Sequence, residues 1–456
     1  MIGFEKEPEI KVGLMAGASS ARLTLRGRFV NESGEEFGEG DYTASIDGGS
    51  IRLDGPRRLM SSSILLAPVD FDSCRITVHD VTIGIDFHWQ RKEAQQFQGA
   101  LRLKPDARGL MLVNELPLES YLVSVISSEM SASCPPELLS AHAIVSRSWL
   151  LAQLNASSTL NQPDPDAPAS AANESSYASP DEIIRWYDRE NHTDFDVCAD
   201  DHCQRYQGIS KAFSEAAFNA VRDTRGKALV WNDKICDARY SKSCGGMTEV
   251  FRAAWEDRDV PYLKSVYDGP GEIRDYPMPL TVEANAEAWI RSSPTAYCNE
   301  ISADLLARIL PGFDQETRDF YRWEVSFSQG ELREIIKARL GLDLGRIHSL
   351  EPLERGESGR IIRLKIKAER RSFIIGKELE IRRTLSRSHL YSSAFVVQTD
   401  GDDAAGYPAR FTLKGAGWGH GVGLCQIGAA VMAERGRTRI EILQHYFREA
   451  SLASLY

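Results

Sequence analysis

The chain has 456 residues, 42% of them hydrophobic and 26% charged, and a formal net charge of −11. That length is too great for one small core and sets two or three domains as the expectation. The acidic balance argues against a nucleic-acid partner, and no stretch approaches ~18 uninterrupted apolar residues, so no membrane span is expected.

The N-terminus, MIGFEKEPEIKVGLMAG, lacks a basic region followed by a long apolar run. No signal peptide is therefore expected in this chain, which points to the cytoplasm or to a trimmed signal. Residues 1–110 are a succession of short segments with period-2 alternation, among them IKVGLM, ARLTLRG, YTASID and CRITVHDVTIGIDFHW, bounded by Gly, Asp and Ser. This pattern predicts an antiparallel sheet or small barrel. GLMLV (109–113) adds one more strand.

A catalytic core is expected over 111–274. Leu118, Leu122, Val125 and Glu129 fall at i, i+4, i+7 and i+11, one face of a helix. A carboxylate ending an apolar stripe is expected at a core or cleft wall. Burial there would disfavour its charged form, as a general acid near neutral pH requires. The plainer reading is a helix-end carboxylate that reaches water or an arginine. A second helix starts after Ser133, read as the cap, with Pro135, Pro136 and Glu137 at its N-terminus and a stripe of Leu138, Val145, Trp149 and Ala152. His142 lies on that stripe and reads as a packed histidine.

Residues 155–180 are rich in Pro, Ser, Ala and Asn without apolar periodicity, which predicts a flexible insertion. EIIRWYDREN (182–191) reads as a short helix capped by Asp181. The segment HTDFDVCADDHCQRY gathers His192, Cys198, His202 and Cys203, two imidazoles and two thiols suited to tetrahedral zinc. A Cys198–Cys203 disulfide, or two free thiols, is the competing reading. The eight cysteines are too sparse for a disulfide scaffold, and only Cys198 with Cys203 and Cys236 with Cys244 are close in sequence.

Residues 210–225 read as a helix. Beyond it, Tyr240, Ser241, Ser243, Gly245, Gly246 and Thr248 set small hydroxyls beside paired glycines, which allows a ligand, or simply a tight turn, to approach the backbone closely. Residues 275–395 alternate helical and strand patterns and predict an inserted α+β subdomain; the basic residues between Arg360 and Arg383 read as a solvated face or a grip on an acidic polymer. The last segment, 396–456, is expected to complete the core with a glycine-rich strand and C-terminal helices. Its run GAGWGHGVGLCQ alternates glycine with Trp418, His420 and Val422, without the lysine of a phosphate loop or the context of a dinucleotide fold. His420, between glycines, favours a site role.

Three stretches together resemble the stage II sporulation protein D/LytB (SpoIID/LytB) family: NELPLESYLVSVISSEM with PPELLSAHAIVSRSW, then YSKSCGGMTE, then GWGHGVGLCQIGA. The order of the three is more specific than any one of them. The chain departs from the family in its Pro/Ser-rich insertion and in the Ser-Ala-Ser-Cys between the helices. The resemblance implies a peptidoglycan lytic transglycosylase with Glu129 as the catalytic acid and a structural zinc at His192, Cys198, His202 and Cys203. From motif position it implies Arg147, Tyr240, Ser241, Ser243, Gly245, Thr248, His420 and Gln426 as substrate-binding residues. A lytic transglycosylase needs no second carboxylate, because the sugar's own 6-hydroxyl attacks. Glu119, the nearest rival, points off the Glu129 face at about 100° per residue. The expected partner is the peptidoglycan glycan strand, in the cell envelope. The alternative is a non-catalytic peptidoglycan-binding enhancer of a cell-wall amidase.

Overall fold

The computed structural model describes residues 4–85, 90–159, 176–187, 192–212, 214–299, 302–316 and 319–456. The chain divides into two compact units, Met1–Arg147 with Arg189–Ala228 and Ala453–Tyr456, and Ser148–Asp188 with Leu229–Leu452. The fold is α+β, with antiparallel sheets predominating in both units.

In the first unit the alternating segments of residues 9–117 form two sheets that pack on each other, in place of one sheet or a barrel. One runs in the order Val197–Cys198, Glu9–Ala18, Gly109–Pro117, Ala100–Asp106, Ile64–Pro68, Phe29–Val30, Glu36–Phe37. The other runs Arg91–Phe97, Arg75–Ile83, Ser20–Arg26, Gly40–Asp47, Ser50–Asp54, Leu59–Ser61. Alternate residues such as Ile10, Val12, Leu23, Leu25, Leu101 and Leu103 are buried, as a period-2 pattern requires when one face of each sheet meets the core.

The strand Gly109–Pro117 leads directly into helix α1 (Leu118–Glu129). Pro117 precedes the helix and offers no side-chain cap. The first turn is satisfied from afar: Leu118 N–H donates to Pro8 O and Glu119 N–H to Glu7 Oε1, both at 2.9 Å. Helix α2 (Pro136–Thr159) begins with Pro136 at its first position, two residues later than a Ser133 cap would place it, so Ser133 stays outside and exposed. His142 is fully buried.

The predicted flexible insertion falls mostly on 160–175, outside the described residues. On its near side α2 continues through Thr159, and on its far side Tyr177–Ser179 is a strand. Glu182–Ile184 is also a strand, not the expected helix. Its isoleucines pair in parallel with Phe373–Gly376, and sheet pairing overrides the local pattern. The helix expected over 210–225 is confined to Glu215–Asp223, where Ser214 caps it by accepting from Ala216 N–H at 3.1 Å.

Within the second unit, Tyr177–Ser179, Glu182–Ile184, Phe373–Gly376, Ile361–Ala368 and Ile347–Arg355 form one sheet, and Arg322–Ser328, Arg410–Ala416 and Phe395–Asp400 another. A shared core of Leu332, Ile336, Leu364, Ile366, Phe373 and Phe395 holds them. The segment RSFIIGKELEIRRTL is strand only to Gly376. Lys377, at φ +73°, turns the chain into the helix Glu378–Thr384.

Candidate functional site

Glu129 closes α1 with only 8% of its surface exposed. Its Oε1 accepts the N–H of Arg205 at 2.9 Å. Arg205 belongs to a buried run, Gln204–Gly208, that lies along the helix. Tyr121 on α1 stacks on Tyr206 at 5.2 Å between ring centroids and donates to Gln204 Oε1 at 3.2 Å. Tyr206 donates in turn to Asn114 Oδ1 at 2.5 Å. Burial pushes both phenols well above their ordinary range, so they stay protonated donors. The Arg205 guanidinium pairs with Asp201 at 2.6 Å.

Glu119 is placed quite differently. Arg147 grips it as a fork, Nε to Oε1 at 2.9 Å and Nη2 to Oε2 at 2.5 Å. Gly226 N–H donates to the same carboxylate at 3.1 Å, and Tyr456 OH donates to it as well. Arg147 is fully buried and also donates to Lys227 O at 3.0 Å. This corrects the expectation of Arg147 on a cleft wall: its donors are spent inside the protein, and its work is to fix Glu119.

His192, Cys198, His202 and Cys203 come together, with all four donor atoms within 4.8 Å of one another. Cys203 Sγ lies 3.4 Å from His192 Nε2 and 3.5 Å from His202 Nδ1, and Cys198 Sγ lies 3.8 Å from His202 Nδ1. A zinc tetrahedron has S···N edges of about 3.5 Å, so these three edges and the donor types suit that ion. The cysteines are free thiols, not a disulfide. Hydrogen bonding to Cys203, against the cost of burial and assisted by both histidines, holds the Cys198 thiol far below its ordinary range. Cys203 stands two residues before Arg205, so the shape of this loop decides where the Arg205 N–H points.

The other predicted residues belong to the second unit. Tyr240–Ser241 pairs in parallel with Leu424–Cys425, and Ser243 and Trp418 exchange backbone hydrogen bonds at 3.1 and 2.7 Å. The glycine run is therefore not one strand: Gly417, Gly419, Gly421 and Gly423 all have positive φ, and it loops against 239–249. A Cβ on Gly423 would meet Arg239 O at 2.1 Å, and one on Gly417 would meet Ser243 O at 2.8 Å. These glycines serve the close approach of two backbone segments. Gly245, at φ +80°, answers Gly417 in the same way. Ser241, Ser243, Thr248 and Gln426 are buried, and Thr248 Oγ1 accepts from Val266 N–H at 2.7 Å. His420 accepts at Nδ1 from Val422 N–H at 3.0 Å. Desolvation, with Arg239, Arg360 and Arg382 nearby, pushes it well below its ordinary value and keeps it neutral. Arg360 is likewise interior, not part of a solvated face. It is fully buried and donates to Gly419 O at 3.0 Å and Cys244 O at 3.1 Å.

Beside this loop the second unit has a cleft of about 290 Å³, lined by Trp186, Asp237, Arg239, Phe251, Trp255 and Tyr262 among others. Trp255 stacks with Phe251 at 5.0 Å, touches the His420 ring edge-on at 4.8 Å, and lies under Arg239 at 4.3 Å. Aromatic faces with flanking charged groups suit a sugar. No periodicity marked these residues, because FRAAWED forms only a short 3₁₀ turn and irregular chain.

The chain matches the stage II sporulation protein family over residues 106–231 and a domain of unknown function (DUF8618) over 249–423. It is 24% identical to the stage II sporulation protein D of Bacillus amyloliquefaciens over 341 residues, 75% of each chain. The Bacillus subtilis (strain 168) protein of the same name is 23% identical over 341 residues, 75% of this chain and 76% of that one. The amidase enhancer of Bacillus subtilis (strain 168) is 24% identical over 269 residues, 55% of this chain and 34% of that protein.

Proposed function

We propose that the chain, which matches the stage II sporulation protein family over residues 106–231 and is similar to stage II sporulation protein D and an amidase enhancer, is a SpoIID/LytB-type lytic transglycosylase of peptidoglycan glycan strands in the cell envelope, with Glu129 as its acid and base. The observation that carries this reading is the placement of Glu129: buried at the end of α1, inside the segment that matches the sporulation family, and steadied by the Arg205 N–H.

In the proposed reaction the protonated Glu129 carboxyl gives its proton to the oxygen between N-acetylmuramic acid and N-acetylglucosamine. The bond to the anomeric carbon breaks with oxocarbenium character. The Glu129 carboxylate then takes the proton of the 6-hydroxyl of the same muramic residue as that oxygen attacks, giving a 1,6-anhydro end and restoring the acid. No water is consumed, so a single carboxylate suffices. The Arg205 N–H supports the carboxylate through the second half. Zinc, when bound, supplies structural cross-linking: four protein ligands close its coordination sphere, and His192, Cys198, His202 and Cys203 would shape the loop that carries Arg205. The aromatic cleft of the second unit is proposed to bind sugar rings.

The test is incubation of the purified chain with glycan strands stripped of peptides, followed by mass spectrometry. Anhydro ends from the wild type and none from Glu129→Gln are expected; equal release from both overturns the assignment. A second reading is favoured by the amidase-enhancer relative: a glycan-gripping protein that stimulates an amidase without cutting. It predicts no anhydro ends from either protein and faster amidase turnover with both.

A further inference from the structure

Cys244, Asp268, Cys298 and Cys425 are drawn from four separate parts of the second unit, yet their donor atoms all lie within 4.8 Å of one another and all four residues are buried. Cys244 Sγ is 3.8 Å from Cys298 Sγ and 3.3 Å from Asp268 Oδ2. Around a tetrahedral zinc, S···S edges are about 3.8 Å and S···O edges about 3.6 Å. A disulfide would bring two sulfurs to about 2.05 Å, and all three cysteines are free thiols.

The surroundings are those of a metal–thiolate centre. Backbone donors point at sulfur: Cys244 N–H at Cys425 Sγ (3.3 Å) and Gly246 N–H at Cys244 Sγ (3.4 Å). Gly246 takes φ +104° at the end of this Cys-Gly-Gly turn. The carboxylate is oriented by Tyr446 OH, which donates to Asp268 Oδ1 at 2.6 Å and leaves Oδ2 toward the sulfurs. Such outer partners fix a ligand's geometry before the ion arrives. Positive charge is at hand: the guanidinium of Arg360 donates to Cys244 O at 3.1 Å and that of Arg322 to Gly245 O at 3.1 Å. A buried carboxylate set among three sulfurs otherwise carries a large desolvation cost, which a dication removes.

We propose that Cys244, Asp268, Cys298 and Cys425 form a second, structural site for one divalent soft metal ion, zinc by donor type. Four protein ligands and complete burial leave no position for water or substrate. Cys244 and Cys425 flank the 249–423 segment at its two ends. The ion would therefore clasp the start of that segment to its finish across a separation of 181 residues. The site shares no residue with the His/Cys cluster and is independent of whether the chain cuts glycan.

The test is a metal count on the full chain, produced in zinc-supplemented medium and measured by inductively coupled plasma mass spectrometry. About two equivalents are expected in the wild type and about one in Cys198→Ser/Cys203→Ser, a variant that leaves the proposed site untouched. About one is expected again in Cys298→Ser, provided its circular dichroism matches the wild type. Cobalt in the Cys198→Ser/Cys203→Ser protein should show the sulfur-to-metal charge-transfer band of a thiolate-rich tetrahedral site. A wild-type count of none overturns the proposal, as does a count of one that falls to none in Cys198→Ser/Cys203→Ser. So does a metal-free Cys198→Ser/Cys203→Ser protein whose remaining thiols all react with a thiol reagent, or peptide mapping that joins any two of the three cysteines.

Discussion

The two glutamates of α1 stand ten residues apart, about 15 Å along one helix, and are held by different kinds of structure. Glu119 takes both arms of a buried arginine, a backbone N–H and a tyrosine hydroxyl. Glu129 takes the N–H of Arg205, from a loop whose course runs through the His/Cys cluster. The first arrangement needs a permanent negative charge. The Arg205 N–H is a neutral dipole, compatible with the acid–base role proposed for Glu129. Residue type and helix position alone do not separate the proposed acid from an anchor; the bidentate arginine at Glu119 is what marks the anchor.

The largest effect that sharpens this contrast is at the Glu129 end. Glu129→Gln keeps the shape and removes the proton traffic, so glycan cleavage should fall by at least the roughly 10²–10⁴-fold assigned to general acid catalysis, with an unchanged melting temperature. Next is the reverse pattern at the other end. Glu119→Gln leaves Arg147 buried without its countercharge and should cost about 3–5 kcal/mol in denaturant unfolding, while activity per folded molecule is retained. If Glu119→Gln instead lost activity without losing stability, Glu119 and not Glu129 would be the acid.

The His/Cys loop offers a smaller lever. Cys203→Ser should abolish the zinc binding proposed for this cluster and loosen the run to Arg205. Losing one aligned hydrogen bond to the acid, worth about 1–1.5 kcal/mol, corresponds to roughly a tenfold fall in cleavage. Metal content and turnover measured on the same sample decide it. Turnover that vanishes entirely in a chelated but fully folded protein would place the metal in the chemistry and not in the loop.

Much of α1 was legible because its evidence is local. Leu118, Leu122, Val125 and Glu129 share a face by spacing alone, and His192, Cys198, His202 and Cys203 fall within twelve residues, so their convergence needed no knowledge of the fold. Arg147 was misread for the opposite reason: its partner Glu119 is 28 residues away on another helix, and nothing in the motif around Arg147 points to it. The strand at Glu182–Ile184 was missed because its partner, Phe373–Gly376, lies nearly two hundred residues on. Cys244, Cys298 and Cys425 belong to this class as well. Proximity in sequence grouped Cys244 with Cys236, but the fold leaves Cys236 elsewhere, buried beside Asp237, with burial pushing its thiol up to about 12. The alternating glycines are visible locally, and they permit a close approach. What they approach, the backbone of 239–249, is again a long-range fact.

The last lever tests whether the Glu119 end depends on a fixed proton. Tyr456 donates its hydroxyl to Glu119. Burial and that carboxylate together push its phenol above the ordinary 10.0. In the unfolded chain the phenol ionises near its ordinary value, whereas in the fold it keeps its proton to higher pH. The folded state then binds more protons, so the stability this group provides is complete below about pH 10 and is lost as pH rises through the folded value. Tyr456→Phe should therefore cost about 1.5 kcal/mol at neutral pH, the low end for a hydrogen bond to a charged group because the ring is partly exposed. It should also make the fall in melting temperature between pH 9 and 11 shallower than in the wild type. A mutant whose alkaline limb matches the wild type would mean that Glu119 is held by Arg147 and Gly226 alone, and that the C-terminal tail packs there without serving the carboxylate.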